Sequence, residues 1–209
     1  MPARTRIGVL ALQGAFAAHA KVLARLGVEP GEVRTPDDLE RCDALVMPGG
    51  ESTTMSKLLE TSQLFDPLGK RIADGMPVFG TCAGMILLAA QVEDGRPDQR
   101  SLGAIDIAVR RNAYGRQVDS FETDISLRGL DAPFHAVFIR APRISRVGAD
   151  VDVLAEHDGD AVLVCSGAVM AAAFHPELAD DDRVHRMFLD MVGNAVGGLV
   201  DRAADARPN

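Results

Sequence analysis

Apolar and polar positions along the chain follow two rhythms. In the N-terminal half, short continuous apolar runs alternate with segments of helical spacing. Ile7 to Leu12 is one such run, the pattern of a strand covered on both faces. From Phe16 to Leu26 the apolar residues recur at Phe16, Ala20, Leu23 and Leu26, which predicts a helix that stops at Gly27. Ala44 to Met47 is a second buried run, broken by Pro48-Gly49-Gly50. Ser52 and Thr53 are good N-cap types for a helix over Met55 to Leu64. Pro77 to Phe79 predicts a third strand, and Ala83 to Ala90 a third helix. This alternation predicts βαβ units, and so a parallel sheet with helices on both faces.

From about Leu102 the texture changes. Ile105–Val109, Val118–Ile125, Ala136–Ile139, Val151–His157, Ala161–Cys165 and Val169–Phe174 are strand-like, separated by turn residues such as Asp158-Gly159-Asp160 and Ser166-Gly167. Asp-Gly between two apolar runs is a hairpin signal. A last helix is expected from about Asp181 to Val196, loosened by Gly197-Gly198. No repeat, low-complexity tract or linker divides the chain. Residues 1–200 read as a single α/β domain with an antiparallel elaboration in its C-terminal half, and 201–209 as a polar, fraying tail.

Composition narrows the function classes. The 209 residues are 47% hydrophobic and 25% charged, ordinary values for a globular chain with a real core. A formal charge of −8, from 22 basic and 30 acidic residues, argues against a nucleic-acid surface and against a polybasic membrane contact. No apolar run approaches the roughly 20 residues that span a bilayer. The N-terminal stretch runs into Gln13 and Gly14 without a cleavage pattern, so it reads as a first strand rather than a signal peptide. Cys42, Cys82 and Cys165 make an odd number with no CxxC spacing. Neither disulfides nor a metal site is expected, and a cytoplasmic location is.

One of those cysteines has a chemical setting. In Pro77-Val78-Phe79-Gly80-Thr81-Cys82-Ala83-Gly84-Met85-Ile86 a buried strand runs into Gly-Thr-Cys-Ala-Gly and then into a helix. This is the form of a nucleophile elbow with cysteine in place of serine. Glycines two before and two after let the backbone turn sharply and keep side chains from crowding it. The helix N-terminus favours the thiolate, and the Ala83 N–H is a ready oxyanion donor. Free cysteines are more often plain core residues, and that reading suits Cys42 and Cys165.

A cysteine nucleophile needs a base, and the base an orienting group. His175 follows an apolar strand in Ala173-Phe174-His175-Pro176-Glu177, and Pro176 biases it toward an extended conformation. Residues two apart in an extended chain share a side, which brings Glu177 within reach of the imidazole. Cys82, His175 and Glu177 then form a nucleophile, base and orienter at strand ends, where open α/β sheets build their sites. A third segment, Met47-Pro48-Gly49-Gly50-Glu51-Ser52-Thr53, also joins a strand to a helix. Its Gly49 and Gly50 N–H groups are candidate second oxyanion donors. It lacks the lysine of a phosphate loop.

Gly80–Gly84, Pro48–Thr53 and Phe174-His175-Pro176-Glu177-Leu178 together resemble the class I (triad) glutamine amidotransferases. Leu10–Gly14, Arg111–Glu122 and Val137–Pro142 narrow the resemblance to glutaminase subunits of two-component pyridoxal 5′-phosphate synthases, over residues from about 6 to 196. The resemblance implies a flavodoxin-like, three-layer, mostly parallel open sheet flanked by helices. It implies hydrolysis of L-glutamine to glutamate and ammonia, without a cofactor. The ammonia passes to a partner synthase subunit, on a dodecameric core carrying up to twelve glutaminase subunits. It further implies that Gly50, Glu51 and Ser52 hold the substrate, that Arg111, Ile139 and Arg140 complete the glutamine pocket, and that Gln13 lies near the oxyanion region and the partner interface. An arginine is chemically suited to a free α-carboxylate, although Arg111 beside Arg110 also reads as a solvated strand edge. One departure is Ala18 before His19, where a polar or acidic residue is expected; it bears on an interface role for the surface of the first helix.

Two other readings remain open at this level. A glutaminase subunit serving a histidine or purine synthase shares the triad, but the Arg111–Glu122 block favours vitamin B6. A non-catalytic cysteine redox sensor has no use for the His175–Glu177 pair or the glycine turn.

Overall fold

The computed structural model describes residues 5–96, 98–111 and 120–205. The N-terminal half alternates as the pattern requires: β1 (Ile7–Leu10), α1 (Phe16–Arg25), β2 (Gly31–Val33), α2 (Pro36–Glu40), β3 (Ala44–Met47), α3 (Ser52–Thr61), α4 (Phe65–Ala73), β4 (Val78–Thr81) and α5 (Ala83–Leu88). Eight strands follow: β5 (Ala89–Val92), β6 (Ile105–Arg110), β7 (Ser120–Ile125), β8 (Phe134–Ile139), β9 (Arg143–Val147), β10 (Asp152–His157), β11 (Asp160–Ser166) and β12 (Val169–Ala172). A single 3-10 turn, Pro176–Leu178, leads to the long α6 (Arg183–Asp205).

Seven strands make the central sheet, in the order β10-β11-β12-β4-β3-β1-β2. From β12 to β2 every pairing is parallel, whereas β10-β11-β12 is an antiparallel meander on one side. Every residue of β1, β3, β4 and β12 is buried, as strands covered on both faces must be. Two smaller sheets, β5-β6-β9 and β7-β8, form the elaboration. The β10-β11 hairpin turns through Asp158 and Gly159 at φ +50° and +81°, the two left-handed residues that a type I′ turn needs.

Several boundaries differ from the sequence pattern. The helix expected over Ala83 to Ala90 ends at Leu88, because Ala89 takes up extended geometry and pairs with Ile105. A tertiary ladder here overrides the helix propensity of alanine. Helix α3 starts at Ser52, not Met55, and its cap is Glu51, whose carboxylate accepts from the Thr53 and Thr54 N–H groups. Helix α6 continues through Gly197-Gly198 to Asp205, beyond the expected end at Val196 and into the expected tail. Residues 206–209 of that tail, and Val118 and Asp119 of an expected strand, lie outside the described residues. Elements β2, α2, α4, β5 and β9 had no counterpart in the pattern. No described helix is long and apolar enough to cross a membrane.

Helix α6 is held to the sheet by Phe188, fully buried, whose ring centroid lies 5.7 Å from that of Phe79 on β4. Removing a buried aromatic side chain costs its transfer energy plus that of the cavity left behind. We expect Phe188→Ala to lower the unfolding free energy by about 3–5 kcal/mol, read as a lower urea midpoint.

Candidate active site

The parallel register decides which loops meet. Met47 pairs with Gly80, and Ala172 pairs with Thr81, so β3, β4 and β12 deliver their C-terminal ends side by side. Beyond those ends lie the Pro48-Gly49-Gly50 turn, Cys82, and His175 respectively. Cys82 is tied down by its own N–H, which donates to the Ala172 carbonyl at 2.8 Å.

Cys82 has φ +48° and ψ −103°, a conformation that L side chains rarely adopt. The sharp turn is therefore taken by the cysteine itself. The flanking glycines serve close approach instead. A Cβ on Gly80 would lie 2.6 Å from the Gly84 carbonyl carbon, and one on Gly84 would lie 2.2 Å from the Met47 carbonyl oxygen. Strand, elbow and helix can pack this tightly only without those side chains.

His175 and Glu177 are both buried. The His175 N–H donates to the Val137 carbonyl at 2.8 Å, which ties it to β8, and its ring Nδ1–H donates to Glu177 Oε1 at 2.8 Å. The two meet through the 3-10 turn that begins at Pro176, not through the two-residue period of an extended strand. Burial pushes the His175 imidazolium pKa down, but hydrogen bonding and charge from Cys82 and Glu177 outweigh it and raise it to about 10. Burial likewise pushes the Glu177 carboxyl up, and the bond from His175 brings it below its ordinary value. His175 and Glu177 therefore stand as a buried ion pair. Gly49 packs under the ring: a Cβ there would lie 2.4 Å from His175 Cε1.

A cavity of about 260 Å³ opens beside the cysteine, lined by Gly50, Glu51, Ser52, Cys82, Ile86, Arg111, Ile139, Arg140 and His175. All six residues expected in the substrate pocket are among them. Ile86, one turn along α5 from the cysteine, is the addition. Glu177 stands behind His175 and out of the cavity. Gln13 is also outside the lining, and its side-chain Nε2 donates to the Glu51 carbonyl at 2.7 Å.

Glu51 is engaged four ways. Its carboxylate accepts from the Thr53 N–H at 3.1 Å, the Thr54 N–H at 2.7 Å and the Thr54 hydroxyl at 2.7 Å, and it pairs with Arg111 at 3.1 Å. Burial raises its pKa, but the bonds from Thr54 and Thr53 outweigh burial and hold it at about 2. Arg111 also donates to Gln99 Oε1 at 2.8 Å, so it is a positioned cation rather than a solvated one. Arg140 has φ +44°, a strained backbone at the cavity rim. Of the Arg111–Glu122 block, residues 112–119 lie outside the described residues.

His19 is fully buried, not on the surface of α1. Its Nε2 lies 3.1 Å from Thr81 Oγ1 and 3.3 Å from Glu177 Oε2. Helical spacing puts position 19 beside Phe16, Ala20 and Leu23 on the apolar stripe, and that signal could have found it. A larger groove of about 640 Å³ lies elsewhere, lined by Cys165, Met170, Met187 and Met191 among others. No histidine lines it among the described residues, and burial pushes the Cys165 thiol up, so the smaller cavity is the candidate reactive site.

A side chain at position 49 must displace the His175 ring. We expect Gly49→Ala to slow alkylation of Cys82 by iodoacetamide at pH 7 by about tenfold or more, because the displaced His175 ring no longer holds the proton that the thiol must lose. Mass spectrometry of the Cys82 peptide measures it.

The chain matches the SNO glutamine amidotransferase family over residues 9–194. It is 57% identical over 191 residues to the pyridoxal 5′-phosphate synthase subunit PdxT of a Nocardioides species, covering 89% of this chain and 95% of that one. To the protein of the same name from Mycobacteroides abscessus it is 56% identical over 186 residues, covering 89% and 96%. A solved structure described as a glutamine amidotransferase superposes with a TM-score of 0.85 at 50% identity, covering 90% of this chain and 98% of that one. Matched over nearly its whole length, the chain belongs to the SNO glutamine amidotransferase family.

Proposed function

We propose that this chain is the glutaminase subunit of a pyridoxal 5′-phosphate synthase. It hydrolyses L-glutamine to L-glutamate and hands the ammonia to a partner synthase subunit in the cytoplasm. The observation that carries this reading is the single cavity of about 260 Å³ that gathers Cys82, His175, Glu51, Arg111 and Arg140. The relatives named as pyridoxal 5′-phosphate synthase subunits supply the pathway.

The chemistry follows from the residues. The Cys82 proton already rests on His175, whose imidazolium is held by Glu177, and the Cys82 thiolate attacks the carbon of the glutamine side-chain amide. The oxyanion is met by the N–H groups of Ala83 and of Gly49 and Gly50, with Gln13 steadying that turn through the Glu51 carbonyl. Ala83 is the first residue of α5, where a backbone N–H has no partner within the helix. His175 protonates the leaving nitrogen, the C–N bond breaks, and ammonia departs. A water, deprotonated by the same imidazole, then cleaves the thioester to release glutamate and restore the thiolate–imidazolium pair. Glu177 holds the imidazolium throughout.

At the other end of the substrate, Arg111 and Arg140 face the α-carboxylate, and the permanently ionised Glu51 faces the α-ammonium. Gly50 and Ser52 supply polar backbone at the floor and Ile139 an apolar wall. The further reading of the assembly is a dodecameric synthase core with up to twelve of these subunits.

Cys82→Ala is expected to abolish glutamate release, measured with the synthase subunit present, and to leave the thermal unfolding curve in place. Retained turnover would sink the assignment. The pH profile gives an independent test. His175 keeps its proton until the pH rises through about 10, so the alkaline limb of kcat/KM should lie far above the ordinary histidine value of 6.5. Glu177→Gln removes the countercharge and should bring that limb down toward neutrality.

A further inference from the structure

Behind the site stand two buried histidines that the reaction does not use. His19 on α1 and His185 on α6 are each fully buried, and His19 Nδ1 lies 2.9 Å from His185 Nε2. On its other side His19 Nε2 faces Thr81 Oγ1 at 3.1 Å and Glu177 Oε2 at 3.3 Å. Oε2 is the carboxylate oxygen that His175 does not hold. It is buried and has no fully aligned hydrogen bond among the described residues. A buried carboxylate oxygen left bare is costly, so the atom that faces it matters.

We propose that His19 is a positioning residue for Glu177, its Nε2–H directed at Oε2 and the Thr81 hydroxyl, with His185 fixing the tautomer that makes this possible. The inference rests on the role given above to Glu177 as the group that orients His175.

The proton arrangement follows from the partners. If Nε2 of His19 were bare, its lone pair would face a carboxylate oxygen at 3.3 Å, and its Nδ1–H would have to donate to His185. His185 would then carry its proton on Nδ1, which has no partner among the described residues. A buried donor would be orphaned at one end and two lone pairs opposed at the other. With the proton on Nε2 of both rings, His185 donates to His19, His19 donates toward Glu177 and Thr81, and only an acceptor lone pair is left without a partner. A three-centre bond from Nε2–H to two oxygens accounts for the slightly long contact to each.

Both rings are neutral in this arrangement. Burial pushes His19 down to about 4 and His185 to about 3. The titratable groups facing His19 are His185, Glu177 and His175, and those facing His185 are His19, Glu177, Asp182 and Arg25. Asp182 is itself engaged by Arg25, so His185 keeps no counterion of its own. Neutrality has a consequence. A cationic His19 would compete with His175 for the one negative charge of Glu177, whereas a neutral donor steadies the carboxylate and leaves its charge to His175.

The test is side-chain ¹⁵N NMR of the histidines in the full chain, followed through the carbon-bound ring protons as the pH is raised. His19 and His185 should be neutral with the proton on Nε2 from pH 5.5 to 8. In His19→Leu the His175 midpoint should fall by about one pH unit or more, since Oε2 loses its donor and the carboxylate its orientation. His19→Gln, which keeps a neutral N–H at the same reach, should recover most of the shift. An Nδ1–H tautomer or a charged His19 in the unmodified chain overturns the proposal, even if the leucine variant does not fold. So does an unchanged or raised His175 midpoint in a folded His19→Leu. None of these readouts needs glutamine, so they stand apart from the proposed reaction. With the synthase subunit present, His19→Leu should lower kcat roughly ten- to hundredfold, the reach of one hydrogen bond to a charged group, with KM unchanged. A raised KM at constant kcat would count against a positioning role.

Discussion

The site depends on the parallel pairing of β3, β4 and β12. Parallel neighbours end on the same side of a sheet, so whatever follows their last residues shares one space. Here the registers Met47 with Gly80 and Thr81 with Ala172 set the glycine turn, the elbow cysteine and His175 within one cavity. A slip of one residue in β4 would turn every side chain to the opposite face. Every residue of β3, β4 and β12 is buried, so burial alone does not choose the register. Close approach then finishes the placement: Gly84 lies against the Met47 carbonyl, and Gly49 lies against the His175 ring. The strain at Cys82 persists because the packing on both sides of it leaves the backbone no other path.

Two carboxylates in this small region are kept ionised by different means. Glu51 sits on the rim, half in water, and is held by the first N–H groups of α3 and the Thr54 hydroxyl, a cap geometry that also rigidifies the turn before it. Glu177 has no such helix end. It is buried, so its charge has to be met by side chains, and His175 meets it with a proton of its own. The difference suits the positions. A rim carboxylate anchored to backbone is a fixed acceptor for a soluble ligand. A buried one paired to an imidazole changes what that imidazole can do.

Much of this arrangement was legible in the sequence, because the residues that make it are short-range in origin. The Gly-Thr-Cys-Ala-Gly run, the His-Pro-Glu run and the Pro-Gly-Gly-Glu turn each carry their local geometry, and the strands leading into them are uninterrupted apolar runs. The helix α4 was not legible, since Pro67 and Gly69 break a stripe whose buried members are Phe65, Leu68 and Ile72. Proline is harmless there because it sits in the first turn. The strand β5 reads as the end of a helix until Ile105 is available to pair with it. The cap role of Glu51 was hidden for another reason: serine and threonine beside it are the commoner cap types, and only the three-dimensional turn decides which side chain reaches the free N–H groups. Gln99 touches the site with no motif to mark it, and the apolar stripe of α1 marks His19 as buried without showing that it reaches Glu177.

The buried polar cluster also changes how core and site relate. His185 lies edge-on to Phe79 at 5.8 Å between ring centroids, and Phe79 in turn packs on Phe188. His19 likewise meets Phe79 edge-on at 6.5 Å. The apolar contacts that fasten α1 and α6 to β4 therefore run without a break into the hydrogen bonds behind Glu177. Aromatic edges carry partial positive charge and faces partial negative, so neutral imidazoles fit this wall far better than imidazoliums deprived of water. The hydrophobic core thus does more than hold the sheet. By keeping the two inner histidines uncharged, it leaves the charge of Glu177 to the outer one.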